Sequence, residues 1–453
     1  MSHFCIFAAS KRCNRMLIIY TPKITNRLGY TFNVIFRLML HTEFSLTTDV
    51  ATYENHDGEK LCYGHERKSK EGAFIKAVNL LFETNITEQE LRPFREGDEA
   101  RLFPTYGNES DMSFDPFAAA FYLLSRYEEY LPHRTDEHGR FLTQESIAFR
   151  EGFIECAIVD RWARHIREVI GRYYPEQKFT ERKYEFEETV DIDAAYCYKH
   201  KGLGRSLMGI ARDMIKEREP GELKERLKVL SGKKDDPFDT FDYILSHKRA
   251  HRDLKLVFFV LLGDYGLYDK PISYHNNEFQ ELLKHLCDHA KMGIHPSYNA
   301  LNTPHLIDVE MKRLSEILHR RIVRSRFHFL RLQFPNSYRS LLKAGIKHDY
   351  TMGYADTIGY RAGTATPYPF YDLSRDEETQ LTIHPFILMD TTLQQYMKLN
   401  QDEAISAIKR CIDEAREVGG TFSCIWHNQH LCDKYGWTGW RKVYEEMIEY
   451  GAQ

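Results

Sequence analysis

The chain has 453 residues, 42% hydrophobic and 28% charged, which is too long for one ordinary core and predicts two or three domains at roughly 150 residues each. A formal net charge of -4 excludes a bulk electrostatic drive toward nucleic acid or a membrane surface. No run of about 18 apolar residues occurs, so no segment is read as spanning a membrane.

Nine cysteines are scattered without a CxxC pair, which fits reduced thiols and a cytoplasmic setting better than a disulfide frame. Residues 1–15 place Lys11, Arg12 and Arg15 after a short apolar patch. That order is the reverse of a secretory signal, and these residues are read as an extension without a structural role. Residues 16–182 read as a smaller α+β domain. Strands are expected at 16–20, 31–39 and 60–64, and a helical apolar spacing runs from Gly72 to Thr84. Asp115-Pro116-Phe117 opens a helix expected to reach Tyr130: Asp suits the N-cap, Pro the first turn, and Phe117, Phe121, Leu124 and Tyr127 form one stripe. A second helix is expected from about Cys156 to Tyr173.

From residue 183 the pattern changes. Seven short apolar runs, at 184–191, 255–262, 291–295, 327–332, 349–354, 383–389 and 420–427, alternate with segments of helical period at 277–289, 306–320, 336–344 and 402–417. Strands alternating with helices predict a parallel sheet, and at this length an α/β barrel. Residues 197–253 interrupt the rhythm with a basic helical insertion, read as a lid or a docking surface.

Chemistry in such folds collects where strands end. Thr189-Val190-Asp191-Ile192-Asp193 closes the first strand with two acids on one face, since side chains two apart on a strand point the same way. Gly293-Ile294-His295-Pro296 closes the third, Arg331 ends the run at 327–332, and His427 follows the last apolar run. The order TxDxD, GIHP, Arg-x-x-x-Pro and a final apolar-x-His resembles the polysaccharide deacetylase family with the NodB-homology domain, carbohydrate esterase family 4. The resemblance covers about 184–450, and the first half resembles the extra N-terminal domain of a bacterial subgroup of that family.

The resemblance implies a distorted seven-stranded (β/α) barrel that uses a divalent metal, zinc in most members, to remove acetyl groups from an acetylated sugar or glycan. It implies Asp191 as the general base, Arg331 as the group that orients it, and His427 as the acid. Asp193 and His295 would bind the metal. Two departures stand out. The two acids flank Ile192 where the family has adjacent aspartates, and Asn299 stands where the second motif repeats its histidine. The third ligand is therefore left open between His328, Asn299 and a water or other group, with a bulge or bend needed to bring His328 to the face of Arg331. Tyr298, Asp356 and Arg361 are candidate substrate-binding residues. The alternative from another class is a catalytically silent carbohydrate-binding or scaffold protein on the same barrel.

Overall fold

A computed structural model of the protein describes residues 16–176, 180–202, 204, 207–211 and 221–453. The expectation for residues 1–15, and part of that for the basic insertion, including Arg205, Arg212, Lys216 and Arg218, lie outside the described residues. The chain divides into two compact units, one of residues 1–127, 158–182 and 373–378, the other of 128–157, 183–372 and 379–453. Residues 128–157, which the sequence reading counts with the first domain, thus cluster with the second unit.

In the first unit, strands β1 (Leu17–Tyr20), β2 (Phe44–Thr47), β3 (Lys60–Gly64) and β4 (Ala73–Lys76) form a sheet in the order β2-β1-β3-β4, every pair parallel. This corrects the α+β expectation to α/β. The run at 31–39 is helical and not a strand: a helix spans Asn26–Phe32, capped by the Thr25 hydroxyl on Leu28 N at 3.1 Å, and continues as a π-turn to Met39. Its aromatic residues recur at helical spacing, and Phe32 packs against both Phe36 and Phe117. The stretch from Gly72 contains β4 and a short 3-10 turn. Gly72 adopts φ +86 so close to β3 that a Cβ would meet Lys60 O at 2.6 Å, a close approach that only glycine permits. The helix at Pro116–Leu124 has Asp115 accepting from Phe117 N and Ala118 N, and it stops before Arg126, whose φ of 52 breaks it short of Tyr130. A small antiparallel pair, β5 (Phe94–Glu96) and β6 (Glu99–Arg101), completes the unit's strands.

The second unit is built on strands β7 (Glu185–Ile192), β8 (Lys255–Val260), β9 (Lys291–Ile294), β10 (Arg324–Ser325), β11 (His348–Asp349), β12 (Tyr368–Asp372), β13 (Glu377–Ile383), β14 (Leu388–Met389) and β15 (Thr421–His427). They form one sheet in the order β12-β13-β11-β10-β9-β8-β7-β15-β14. Neighbours from β13 through to β14 are parallel. The order has two ends, so the seven-stranded barrel is replaced by an open nine-stranded sheet. Three of the expected runs do not form the expected strands. The run at 349–354 keeps only Asp349 of the two-residue β11. The run at 327–332 is a 3-10 turn following a two-residue β10, and the run at 383–389 holds the end of β13 and the whole of β14. β7 lies centrally between β8 and β15, buried from Phe186 to Ile192, as both faces of a parallel strand are covered by helices. Helices at Asn277–His289, His305–Leu318, Asn336–Ala344 and Gln401–Glu417 fall close to the predicted segments. Within the insertion, Asp236 accepts hydrogen bonds from the backbone N–H groups of Cys197, Tyr198 and Lys199, which ties the start of the insertion to its later part.

No helix among the described residues is long and apolar enough to cross a membrane. The described cysteines are free thiols.

Segment 128–157 is fastened into the second unit by a buried ion pair. Glu129 takes both Arg361 Nε at 2.8 Å and Nη2 at 2.5 Å, with each side chain 3% exposed. Removing one member of such a pair strands the other charge, at a cost of about 3–5 kcal/mol. Arg361→Met is therefore expected to lower unfolding stability by about that amount, read as a fall in the denaturant midpoint. A midpoint within experimental error of the unmodified protein would show that the pair does not hold the segment.

Candidate active site

The end of β7 fixes Asp191, and it does so through an arginine other than the expected one. Arg326, one residue beyond β10 and fully buried, donates Nη1 to Asp191 Oδ1 at 2.7 Å, Nη2 to Thr189 Oγ1 at 2.7 Å and Nε to Tyr350 O at 3.0 Å. Arg331 is the corrected residue. Its Nε donates to His138 O at 2.8 Å, its Nη1 to Tyr298 O at 2.5 Å, and its guanidinium lies 4.0 Å over the Tyr298 ring. The strand expected at 327–332 would have placed Arg331 at a strand end. In fact the backbone turns at Phe329 and Leu330, with φ values of 60 and 55, and carries Arg331 away from Asp191.

The same turn settles the geometry of His328. Asp193, His295 and His328 each present a ligand atom, all within 4.8 Å of one another. His295 Nε2 lies 3.3 Å from Asp193 Oδ1 and His328 Nε2 3.5 Å from Asp193 Oδ2. Asn299 is exposed on the 3-10 turn after β9 and does not belong to this group.

Both imidazoles are oriented from behind. His295 Nδ1 lies 2.5 Å from Arg326 O and His328 Nδ1 2.7 Å from Asp269 Oδ1. A carbonyl or carboxylate oxygen can only accept, so each Nδ1 carries the proton, and a neutral ring then turns an Nε2 lone pair toward Asp193. Asp193 Oδ1 is shielded from solvent without a hydrogen-bond donor. A carboxylate that faces two imidazole lone pairs, one of its oxygens without a donor, fits a divalent cation, and a one-oxygen, two-nitrogen set suits zinc. Charge balance agrees. Burial alone would raise the Asp193 carboxyl, but His328, His295 and His427 hold it well below the usual range. Burial lowers the His328 pKa, yet Asp193 and Asp269 outweigh it and raise it to about 9. The cluster thus calls for positive charge, from protons or from a cation.

His427, the last residue of β15, stands 3.7 Å from Asp193 Oδ2 through Nε2, and its Nδ1 contacts Asp390 Oδ1 at 2.8 Å. Burial works against protonation, but the Asp390 charge raises the His427 pKa to about 10. Asp390 also takes His430 Nδ1 at 2.7 Å, and the His430 ring stacks on Trp437 at 3.7 Å. Asp191, Asp193, His295, His328, His427 and His430 all line one cleft of about 270 Å³.

The candidate substrate residues divide. Tyr298 sits behind the cleft wall, stacked on Tyr268 at 4.1 Å, with its backbone N–H held by Asp269 and its hydroxyl 3.1 Å from His138 Nδ1. Asp356 accepts from the Thr143 hydroxyl at 2.5 Å and lines an adjoining cavity. Arg361 is paired with Glu129 and lines the same adjoining cavity as Asp356. Sequence reasoning missed Arg326, Asp269 and Asp390. Arg326 follows β10, whose two residues Arg324 and Ser325 carry no strand signal, Asp390 directly follows β14, and Asp269 lies in a loop and is visible only through contacts distant in sequence.

The chain matches the model of a family of unknown function, DUF7033, over residues 17–175. No curated protein matches it. Among solved structures it is similar to a putative polysaccharide deacetylase from Mycobacterium smegmatis, with 15% identity and a TM-score of 0.39, over 59% of this chain and 85% of that one. It is also similar to a 4-alpha-glucanotransferase from Thermococcus litoralis, with 13% identity and a TM-score of 0.34, over 60% and 37%. A third is a polysaccharide deacetylase from Bacillus cereus, with 11% identity and a TM-score of 0.29, over 59% and 86%. At these scores the likeness carries no argument about chemistry, which rests on the cleft itself.

Asp269 supplies a test of the cation set. Carboxylates behind a ligating histidine are worth about 10–100-fold in metal affinity, so Asp269→Ala is expected to weaken zinc binding by that factor in a competition titration with a chromophoric chelator. Unchanged affinity would remove His328 from the set.

Proposed function

We propose that the second unit is a metal-dependent hydrolase of a non-peptide carbon-nitrogen bond that removes the acetyl group from an N-acetylated sugar or glycan. The observation that carries this reading is the placement of Asp191–Arg326 and His427–Asp390 beside the Asp193, His295 and His328 set. A base and an acid, each with its own oriented partner, flank one cation site. Asp191 Oδ2 is 3.7 Å from His295 Nε2 and His427 Nε2 is 3.7 Å from Asp193 Oδ2. A divalent cation held by the three ligands would polarise the amide carbonyl and acidify water.

The chain's own groups do the proton work. Asp191, with Oδ1 locked by Arg326, uses Oδ2 to take a proton from the attacking water as the carbon-oxygen bond forms. His427, held protonated by Asp390, gives its proton to the nitrogen as the carbon-nitrogen bond breaks. One water is consumed, and acetate and an amine leave. The alternative of a silent carbohydrate-binding protein has no use for a base and an acid that are each oriented beside one cation set.

Replacing Asp191 by Asn removes the proton acceptor and keeps the shape. Acetate release is expected to fall by about a hundredfold or more, with bound metal unchanged. An unaltered rate would take Asp191 out of the reaction.

The pH dependence has a defined sign. A His427 pKa raised by Asp390 keeps the acid form present through neutral pH and loses it as pH rises. Asp390→Asn deletes the charge that raises it, so the alkaline limb of the rate profile is expected to move to lower pH. A limb that stays in place would assign it to another group.

A further inference from the structure

The reaction cleft contains a group that the proton chemistry does not use. Among the described residues lining it, Arg140 alone carries an arginine or lysine charge, and it comes from segment 128–157 instead of a strand end. Its loop is rigid. Asp136 Oδ1 accepts from His138 N at 2.9 Å and Arg140 N at 2.8 Å, Gly139 N donates to Asp136 O at 2.9 Å, and Thr135 and Phe141 pair as a β-bridge on either side. Gly139 takes φ +73, which this tight turn needs and a side chain would strain. Arg331, the arginine that does not reach Asp191, ties the loop down through His138 O.

The guanidinium is held by one edge. Nε donates to Asp136 Oδ2 at 2.6 Å, while Nη1 reaches Phe329 O only at 3.4 Å and Nη2 reaches the Tyr396 hydroxyl only at 3.3 Å. Of five N–H groups three are engaged, two of them by long bonds, and each terminal nitrogen keeps one further N–H. A fixed fork with its two terminal nitrogens lightly used matches a planar carboxylate. Arg140, Leu330 and Tyr396 also border an adjoining cavity of about 400 Å³. That cavity is also lined by Asp136, Glu137 and Asp356 and by Arg361, whose charge Glu129 takes up, so of Arg140 and Arg361 it is Arg140 that also faces the reaction cleft.

We propose that Arg140 is a specificity-determining residue that binds a carboxylate carried by the substrate, so that the preferred substrate is an N-acetylated acidic sugar. This rests on the reading of the cleft as an N-deacetylase. The test uses the full chain loaded with zinc and matched probes: N-acetylglucosamine and N-acetylgalactosamine against N-acetylglucosaminuronic and N-acetylgalactosaminuronic acid. Binding is measured by calorimetry and acetate release in parallel.

The unmodified protein is expected to bind at least one acidic sugar about tenfold or more tightly than its neutral parent, the worth of one charge-assisted bidentate pair in a wet cleft. Arg140→Gln should erase that preference while leaving bound zinc and the affinity for the neutral sugar within about twofold, and Arg140→Lys should retain part of the preference. Equal affinity for neutral and acidic sugars, or a preference that survives in Arg140→Gln, overturns the proposal. Failure of the deacetylase reading is seen separately, as no acetate released from any probe by zinc-loaded protein, whatever the binding preference.

Discussion

The second unit depends on one buried guanidinium. Arg326 is fully buried and binds Asp191 and Thr189 of β7 and the carbonyl of Tyr350 just past β11, while its own carbonyl orients His295 just past β9. Four strand ends are thereby held to one residue. An arginine suits this place because its charge is never lost and its planar fork meets several acceptors at fixed angles. Burying that charge would be costly without the Asp191 carboxylate, so base and clamp stabilise each other, and the site's geometry is tied to the stability of the sheet.

The turn that follows is the second constraint. Phe329 and Leu330 are consecutive bulky residues in the left-handed region, a conformation that costs about 1–3 kcal/mol per residue and persists only where packing over-determines it. Leu330 packs with Ala355, Phe386, Met389 and Ile425, and Phe329 packs against His328, Tyr298 and His138. The strain is offset by that burial, and its product is a reversal of direction within three residues that sends His328 toward Asp193 and Arg331 toward Tyr298.

How much was legible follows from these two constraints. Asp191, Asp193, His295 and His427 could be read because each stands at the end of a run whose residues alternate or bury in a strand's manner, and a parallel sheet brings such ends together. Arg326 could not be separated from Arg331, because Phe327-His328-Phe329-Leu330 has a strand's composition but a turn's backbone. β10, only two residues long, left no periodicity to mark where it stops. The same ambiguity made residues 31–39 look like a strand, since short apolar runs do not distinguish strand from buried helix. Asp269 acts on His328 from a loop that no local spacing announces, and Asp390, although it directly follows β14, has nothing in its run that points to His427. Segment 128–157 was assigned to its sequence neighbours, and only contacts distant in sequence, such as Glu129 with Arg361 and His138 with Arg331, reveal where it packs.

The central claim is that Asp193, His295 and His328 hold one divalent cation beside Asp191 and His427. X-ray absorption at the zinc edge of the purified, zinc-loaded chain tests it most directly. One zinc per chain with two imidazole nitrogens and light oxygen ligands, losing one imidazole in His328→Ala, is the result the account predicts. No bound zinc, or a coordination shell unaltered in His328→Ala, would contradict it.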